Sequence, residues 1–167
     1  TKLLCDPWNG SANYGGWNSL PEIPNNLLLD HISSASHLYI SHLHSDHFCP
    51  AVLNFFPDKS IPVVIKKFKS KRFLNGLSAL GFDNITELEP WKVLSFGDLL
   101  ISIIPQGLTN SDGADDNLNY DLDTSILVFD RTTNTLLFHL TDNSLDSTQY
   151  QQLRDYCFNQ FSKSPDV

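Results

Sequence analysis

The chain has 167 residues, of which 41% are hydrophobic and 18% are charged. That composition is typical of one globular domain and excludes the disordered class, in which hydrophobic residues are scarce and charge is high. The formal net charge of −8 disfavours a nucleic-acid partner, because an acidic surface repels the phosphate backbone.

Strands are predicted where short apolar or β-branched runs are bounded by turn residues. In chain order they are Lys2–Cys5, Leu38–Ile40, Ile61–Ile65, Ile85–Leu88, Lys92–Ser95, Leu99–Ile104, Thr124–Phe129 and Thr135–Leu140, the last two as a hairpin. Loops are predicted at Asn9–Asn18, which is rich in Gly and Asn, and at Asp112–Asp123, which carries five aspartates. No apolar run approaches the roughly 18 residues of a membrane span, so we expect no membrane partner.

Helices are predicted where apolar residues recur every three to four positions. They are Ala51–Phe56, which follows Pro50, then Ser70–Leu80, which precedes Gly81, and finally Ser147–Phe161. Proline is favoured at the first position of a helix and glycine just past its end. The alternation of strands and helices, with hairpins among them, predicts sheets covered by helices in a layered mixed α/β or α+β fold.

A histidine-rich motif follows directly after the strand Leu38–Ile40. It has the pattern H-x-H-x-D-H, formed by His42, His44, Asp46 and His47. Side chains alternate in an extended segment, so the first three of these would project to one side. Imidazole and carboxylate suit zinc, manganese or iron. The alternatives are a solvated histidine-rich loop and buried histidines that are satisfied by hydrogen bonds.

The motif and its preceding strand resemble the signature of the metallo-β-lactamase superfamily. Four further segments resemble the metallo-β-lactamase-like region of the CMP-N-acetylneuraminate hydroxylases, namely Asp6–Trp8, Gly15–Trp17, Leu122–Ser125 and Thr141–Asn143. The resemblance implies an α+β fold, the αββα sandwich, as a single domain over residues 1–167. We expect that domain to be incomplete at both ends, because the resemblance begins inside the family's fold and the sequence contains no Met.

The resemblance also implies a site with one or two metal ions. In it, His42 and His44 hold the first ion, Asp46 and His47 hold the second, and Asp142 bridges them. The alternative for Asp142 is a turn or helix-start residue. The family's third histidine is absent from residues 105–123, and its final histidine is absent after residue 139.

The roles of three other residues in or near the site are open to more than one interpretation. Gln106 stands where the third histidine is missing, but a neutral amide is a poor ligand. His139 is predicted to be a core residue, because its odd offset from Asp142 places it on the opposite face of a strand. Asp6 either hydrogen-bonds a ligand histidine and fixes its tautomer or caps the Asp-Pro turn.

Two further features are open to a functional or a structural interpretation. Trp8 and Trp17 either line a substrate pocket or cover the core. A basic cluster either attracts an anionic substrate or is a solvated helix start. Its members are Lys66, Lys67, Lys69, Lys71 and Arg72.

These features predict a metal-dependent hydrolase that acts on a small anionic molecule. The resemblance to the hydroxylases alone implies that this molecule is a sugar or nucleotide-sugar derivative. The expected cofactor is zinc, as one or two ions, with manganese or iron as alternatives, and Asp46 would also orient the attacking water. One alternative is the metallo-β-lactamase-like part of a sugar hydroxylase system, with its Rieske centre elsewhere. Another is a degenerate binding domain without catalysis.

The cysteines bear on the cellular compartment. Cys5, Cys49 and Cys157 are odd in number, widely spaced and without a C-x-x-C pair. This argues against a disulfide framework and against a thiolate zinc site. We therefore expect a cytoplasmic protein, whose oligomeric state the sequence leaves open.

Overall fold

The computed structural model describes residues 1–106 and 123–165, so most of the loop predicted at Asp112–Asp123 lies outside the described residues. The strands are β1 (Leu3–Cys5), β2 (Ser11–Ala12), β3 (Trp17–Asn18), β4 (His37–Tyr39), β5 (Val63–Lys66), β6 (Ile85–Leu88), β7 (Leu94–Phe96), β8 (Leu99–Pro105), β9 (Thr124–Asp130) and β10 (Thr135–His139). The α-helices are α1 (Asn25–Ser34), α2 (Pro50–Leu53), α3 (Arg72–Ala79) and α4 (Ser147–Phe161). None of these helices is long and apolar enough to cross a membrane.

The described strands form two four-stranded sheets and a small hairpin. The first sheet has the order β1-β4-β5-β6 and is parallel throughout. The second has the order β10-β9-β8-β7 and is antiparallel. Strands β2 and β3 pair with each other in a short antiparallel hairpin.

The two sheets face each other with helices on the outside. Along β4, Leu38 packs toward the helices, together with Phe73 of α3, whereas Tyr39 packs between the sheets. Ile101 of the second sheet shares that inter-sheet cluster with Tyr39. Leu153 of α4 packs on the outer face of the second sheet. The layers are therefore helix, sheet, sheet and helix, and the predicted αββα sandwich is confirmed.

Helix α1 was not predicted, although its burial explains why it forms. Leu28 and Ile32 are four residues apart and both pack into the core between the helices and the first sheet. The helix follows Pro24 and has no side-chain cap at its start. Its tertiary packing, rather than local capping, therefore stabilises it.

Two other sequence interpretations need correction. The loop predicted at Asn9–Asn18 contains the β2–β3 hairpin and a 3₁₀ turn. His139 is exposed and is not a core residue. It lies on the edge strand β10 and pairs with Ile126 of β9, so it faces the inter-sheet side at the margin of the sheet, where none of the described residues buries it.

Helix α3 ends as its sequence predicts. Gly81 has φ +92, and its N–H donates to Ser78 O, while Phe82 N–H donates to Leu77 O. This pair of bonds closes the helix over a left-handed residue, which glycine adopts without strain. These bonds therefore fix the C-terminal end of α3 next to Gly81, as predicted.

Helix α4 begins with a capping box. Asp146 accepts a hydrogen bond from Gln149 N, and the Gln149 side chain accepts one from Asp146 N. We expect Asp146→Ala to lower the free energy of unfolding by about 1 kcal/mol, because the backbone N–H of Gln149 loses its partner. Urea unfolding followed by circular dichroism measures this, and the exposed Asp155→Ala on the same helix should stay within about 0.5 kcal/mol. Equal effects of the two substitutions would contradict the role of the cap.

Candidate metal centre

The histidine motif lies at the carboxyl end of β4, where the chain leaves the parallel sheet. His42 lies three residues after the end of β4 and is fully buried, while His44 is exposed. A tight turn then reverses the chain, because the N–H groups of His47 and Phe48 both donate to His44 O. This turn brings the His47 ring to 4.1 Å from the His42 ring, measured between centroids.

Hydrogen bonds join the two sheets at this same edge. Thr124 Oγ1, at the start of β9, donates to Ser41 O at 2.9 Å. The same oxygen lies 2.6 Å from the Tyr39 hydroxyl, which therefore donates to it. These bonds hold Asp123, the residue before β9, beside the histidine motif.

The turn after β10 is fixed to the start of β9. Asn143 is 2% exposed and donates to Ser125 Oγ at 2.7 Å, and Ser125 Oγ donates to Leu140 O at 2.9 Å. Thr141 also donates to Thr124 O. Asp142 lies within this turn and is thereby aimed at the same sheet edge.

Two groups of three residues offer donor atoms that lie within 4.8 Å of one another. The first is His42, His44 and Asp123, with 2.8 Å between His42 Nε2 and His44 Nδ1, and 3.1 Å between His42 Nε2 and Asp123 Oδ1. The second is His42, His47 and Asp142, with 3.1 Å between His47 Nε2 and Asp142 Oδ2. His42 belongs to both groups.

The chemistry of these donors fits a metal ion. Asp46 Oδ1 is buried and has no hydrogen-bond partner in the described structure, and the buried Asp123 Oδ1 lies 3.1 Å from His42 Nε2 without forming a hydrogen bond. A buried carboxylate oxygen without a partner is unfavourable, and a cation satisfies it. Imidazole nitrogens together with carboxylate oxygens suit zinc, iron and manganese.

Asp6 is the supporting carboxylate of the site. Its Oδ1 accepts from Ser41 N at 2.7 Å, and its Oδ2 accepts from Ser41 Oγ at 2.7 Å and from His47 Nδ1 at 2.9 Å. The residue holds this position with φ +42, a strained value for a side chain with a Cβ. When His47 is neutral, its Nδ1–H donates to Asp6, and the lone pair of Nε2 then faces Asp142.

The surroundings shift the two buried histidines in opposite directions. Burial lowers the pKa of His42 to about 4, and the neighbouring histidines add to the effect. Burial also acts to lower the pKa of His47, but the hydrogen bond to Asp6 and the charges of Asp6, Asp142 and Asp46 outweigh it and raise the pKa to about 9. At neutral pH, His42 is a free electron-pair donor, whereas His47 carries a proton in the metal-free protein.

We expect Asp6→Ala to lower the free energy of unfolding of the metal-free protein by about 3 kcal/mol. The substitution removes a buried carboxylate that accepts three hydrogen bonds, one of them from a charged imidazole. Urea unfolding at pH 7 after chelator treatment measures the change. Asp58→Ala is the matched control, since this exposed aspartate also accepts bonds from Ser60 N and Oγ. A loss at Asp6 no larger than at Asp58 would contradict the argument.

An open cleft of about 520 Å³ adjoins His44. Tyr14 and Gly15 of the hairpin line one side, and Leu43 lines the other. Tyr14 is fully exposed and has φ +57. The cleft gives a small molecule access to His44 from solvent.

The two tryptophans of the N-terminal loop have different environments. Trp8 packs against the core between the helices and the first sheet, so it covers that core. Trp17 is 56% exposed. The structure therefore favours the covering role for Trp8 and leaves Trp17 at the surface.

Four of the five predicted site residues meet at one sheet edge, namely His42, His44, His47 and Asp142. Asp46 Oδ2 is 3.7 Å from His47 Nε2, but Asp46 belongs to neither group of three. Its role as a ligand stays a prediction, as does that of the half-buried Gln106.

Sequence reasoning missed Asp123 as a candidate ligand. The residue belongs to Leu122–Ser125, a segment that carries the family resemblance, but the resemblance implies a histidine as the third ligand in this part of the chain. The available signal was an aspartate directly before a strand. Its nearness to His42 depends on contacts between residues 83 to 85 positions apart, between Thr124 and the end of β4.

The sandwich of two sheets with outer helices and a histidine–aspartate cluster at one edge is the metallo-β-lactamase fold. Solved structures support this assignment. CmlA, a diiron β-hydroxylase from Streptomyces venezuelae, matches with a TM-score of 0.66 and 20% identity, over 92% of this chain and 28% of that one. A possible metal-dependent hydrolase from Veillonella parvula matches with a TM-score of 0.68 and 15% identity, over 96% of this chain and 61% of that one. At these identities the likeness concerns the fold alone.

Comparison with curated proteins gives a more limited match, and no family model matches the chain. Proteins of Mycolicibacterium smegmatis and Mycobacterium tuberculosis, provisionally named Rieske 2Fe-2S iron-sulfur proteins, are 34% identical over 85 and 87 residues. The matched part covers 51% of this chain but only 16% of each relative. The activity of the whole protein is therefore a matter for proposal.

Proposed function

We propose that this chain is a metal-dependent hydrolase domain that acts on a small anionic molecule. The observation that carries the proposal is the convergence of His42, His44, His47, Asp123 and Asp142 at one open sheet edge. Two structural neighbours described as hydrolases agree with it, the Veillonella protein and an isothiocyanate hydrolase from Delia radicum gut bacteria, which matches with a TM-score of 0.59 and 15% identity. A sugar or nucleotide-sugar substrate rests on the sequence resemblance.

A divalent cation in such a site supplies Lewis-acid polarisation and a nucleophilic water at neutral pH. The residues of this chain hold and aim the donors around it. Asp6 fixes the tautomer of His47, and Ser41 Oγ, 2.9 Å from His42 Nδ1, orients His42 in the same way. Asp46, whose Oδ1 has no hydrogen-bond partner among the described residues, would accept a hydrogen bond from the attacking water.

The test uses purified protein loaded with zinc, manganese or iron in turn. Hydrolysis is followed on p-nitrophenyl acetate, p-nitrophenyl phosphate and a nucleotide sugar. We expect metal-dependent turnover of at least one, and a loss of roughly 100-fold or more in Asp46→Asn. Asp155→Asn, on the distant helix α4, should keep full activity. Failure to bind any metal at pH 7.5 would overturn the proposal and favour the degenerate binding domain.

A second candidate is the metal-binding part of an oxygenase. It is favoured by the Rieske name of the curated relatives and by the hydroxylase CmlA among the structural neighbours. Hydroxylation of a C–H bond would consume dioxygen, two electrons from an iron–sulfur protein and two protons, and release water. Preferential binding of iron over zinc, with product formed only when dioxygen and a reduced Rieske protein are present, would favour it. Turnover by the zinc form alone would contradict it.

A further inference from the structure

The hydroxyl group of Ser41 lies at the centre of the contacts that support the histidine cluster. Ser41 is fully buried. Its Oγ is 2.7 Å from Asp6 Oδ2, 2.9 Å from His42 Nδ1 and 3.3 Å from His47 Nδ1. A hydroxyl has a single proton to donate and two lone pairs that accept. The direction of the hydrogen bond to His42 therefore depends on which neighbour takes that proton.

The carboxylate of Asp6 takes the proton of Ser41. A carboxylate accepts hydrogen bonds and donates none, and the 2.7 Å between Oγ and Oδ2 is typical of a strong bond from a hydroxyl to a carboxylate. Asp6 is held in place for this bond, because its Oδ1 accepts from the backbone N–H of Ser41, also at 2.7 Å. The Ser41 oxygen is then left with lone pairs alone toward the histidines.

His42 must therefore donate to Ser41. A neutral His42 carries its proton on Nδ1, which faces the Ser41 oxygen, and a lone pair on Nε2. The contacts of Nε2 agree with this tautomer. His44 Nδ1, at 2.8 Å, is placed to donate to the lone pair, whereas Asp123 Oδ1, at 3.1 Å, forms no hydrogen bond with it. The lone pair of Nε2 is thus the one that is free for a metal ion.

We propose that Asp6 is the positioning residue for both His42 and His47, acting on His47 directly and on His42 through the hydroxyl of Ser41. One carboxylate then keeps the Nε2 lone pair of each neutral histidine free. Both groups of three donors depend on it, because His42 belongs to both. The inference deepens the proposed function and rests on it only in taking the cluster as a metal centre.

The decisive variant is Asp6→Asn, which keeps the shape of the side chain and reverses the hydrogen bonds. The amide oxygen must stay on the backbone N–H of Ser41, because that group only donates. The amide nitrogen then donates to Ser41 Oγ, where the carboxylate accepted. The Ser41 hydroxyl turns toward His42 Nδ1, so a neutral His42 has to carry its proton on Nε2. A wrong tautomer of this kind leaves the geometry intact and blocks the metal-binding nitrogen.

Nuclear magnetic resonance of ¹⁵N-labelled, metal-free protein measures the tautomer, since a ring nitrogen with a proton and one with a lone pair differ widely in shift. Spectra are recorded at pH 7.5, where His42 is neutral because burial lowers its pKa to about 4. Its signals are identified by their absence from His42→Gln. We expect the proton on Nδ1 in the wild type and on Nε2 in Asp6→Asn.

Ser41→Ala tests the hydroxyl separately. The Nδ1–H of His42 would be left buried without its acceptor, so the proton should move to Nε2, where His44 Nδ1 is placed to accept it. The affinity for zinc, measured by competition with a chelating dye, should fall roughly 10–100-fold in Ser41→Ala and by roughly 100-fold or more in Asp6→Asn, which affects both histidines.

Thr124→Val is the matched control. It removes the hydrogen bond to Ser41 O and keeps the Ser41 hydroxyl, so the proton of His42 should stay on Nδ1. Movement of the proton in this control, a proton on Nε2 in the wild type, or one that stays on Nδ1 in Asp6→Asn would overturn the inference. The expected tautomers and zinc affinities without hydrolysis of any substrate would support it and overturn the hydrolase proposal instead.

Discussion

Replacing His42 by glutamine is expected to weaken zinc binding more than any other single substitution in the cluster, by well over 100-fold. His42 is the residue common to both groups of donors, while His44 and Asp123 belong to one and His47 and Asp142 to the other. Its Nδ1 faces Ser41, so Nε2 alone is left for a metal. Loss of a direct ligand should exceed the 10–100-fold effect of losing an outer partner.

The shared position also sets the pattern expected across the cluster. One imidazole nitrogen binds one ion, so the two groups cannot both be complete through His42 at the same time. We therefore expect one tightly bound zinc and a weaker second one. His44→Gln and Asp142→Asn should each leave an alternative group and weaken the tight site less than His42→Gln does.

Competition with a chelating dye at pH 7.5 measures these affinities. The matched control is His139→Gln, which removes an exposed histidine from β10. Circular dichroism checks that His42→Gln is folded, since this side chain is fully buried. A zinc affinity of His42→Gln within tenfold of the wild type would show that the shared position is not a ligand.

The sequence could predict those parts of the structure that depend on local pattern. The strand Leu38–Ile40 is buried on both faces and reads as a continuous apolar run, as expected for a central parallel strand. Helix α4 has the predicted bounds, because its capping box and its apolar spacing depend only on residues that are close in sequence. The histidine motif is local as well, so its position at the end of a strand followed from the pattern.

The rest depends on contacts that are distant in sequence. Asp6 reaches His47 across 41 positions, and Thr124 reaches Ser41 across 83. No local pattern specifies which carboxylate supports which histidine over such spans. The alternatives for Asp6 were thus left open, and the structure favours the hydrogen bond to a histidine.

The basic cluster and His139 illustrate a second limit of prediction from sequence. A local pattern does not show at which residue a strand ends, nor whether another layer covers its face. Five charges close in sequence look like one patch, but β5 ends at Lys66 and divides them into one buried and several outer residues. The prediction for His139 was wrong because alternation gives the face of a strand, not whether another layer covers that face. Edge position therefore decided its exposure.

Zinc is expected to reverse the dependence of stability on pH between about 6.5 and 9. In the metal-free protein the pKa of His47 is raised from its ordinary value of 6.5 to about 9. Its interaction with Asp6 and Asp142 therefore stabilises the fold fully below pH 6.5, and this stabilisation is lost as the pH rises through 9. Zinc binds the neutral imidazole, so its affinity rises over the same range.

The two trends can be measured as melting temperatures at fixed zinc and in chelator. Without zinc, the melting temperature should fall from pH 6.5 to pH 9, and with zinc it should hold or rise. His42 does not change the melting temperature between pH 6.5 and 9. Its pKa is lowered to about 4, so its protonation affects stability only below pH 6.5. Calorimetry at pH 7 in buffers of different ionisation enthalpy should detect about one proton released per zinc bound.

His47→Gln isolates the source of this effect. The variant should lose both the fall in melting temperature without zinc and the release of a proton on zinc binding. Asp6→Ala should shift the fall in melting temperature to lower pH, because the main partner that raises the pKa of His47 is gone. His31→Gln is the control, since that exposed histidine lies on α1, away from the cluster. A proton release that persists in His47→Gln would mean that another group carries the proton, and the assignment of His47 as the protonated histidine would be wrong.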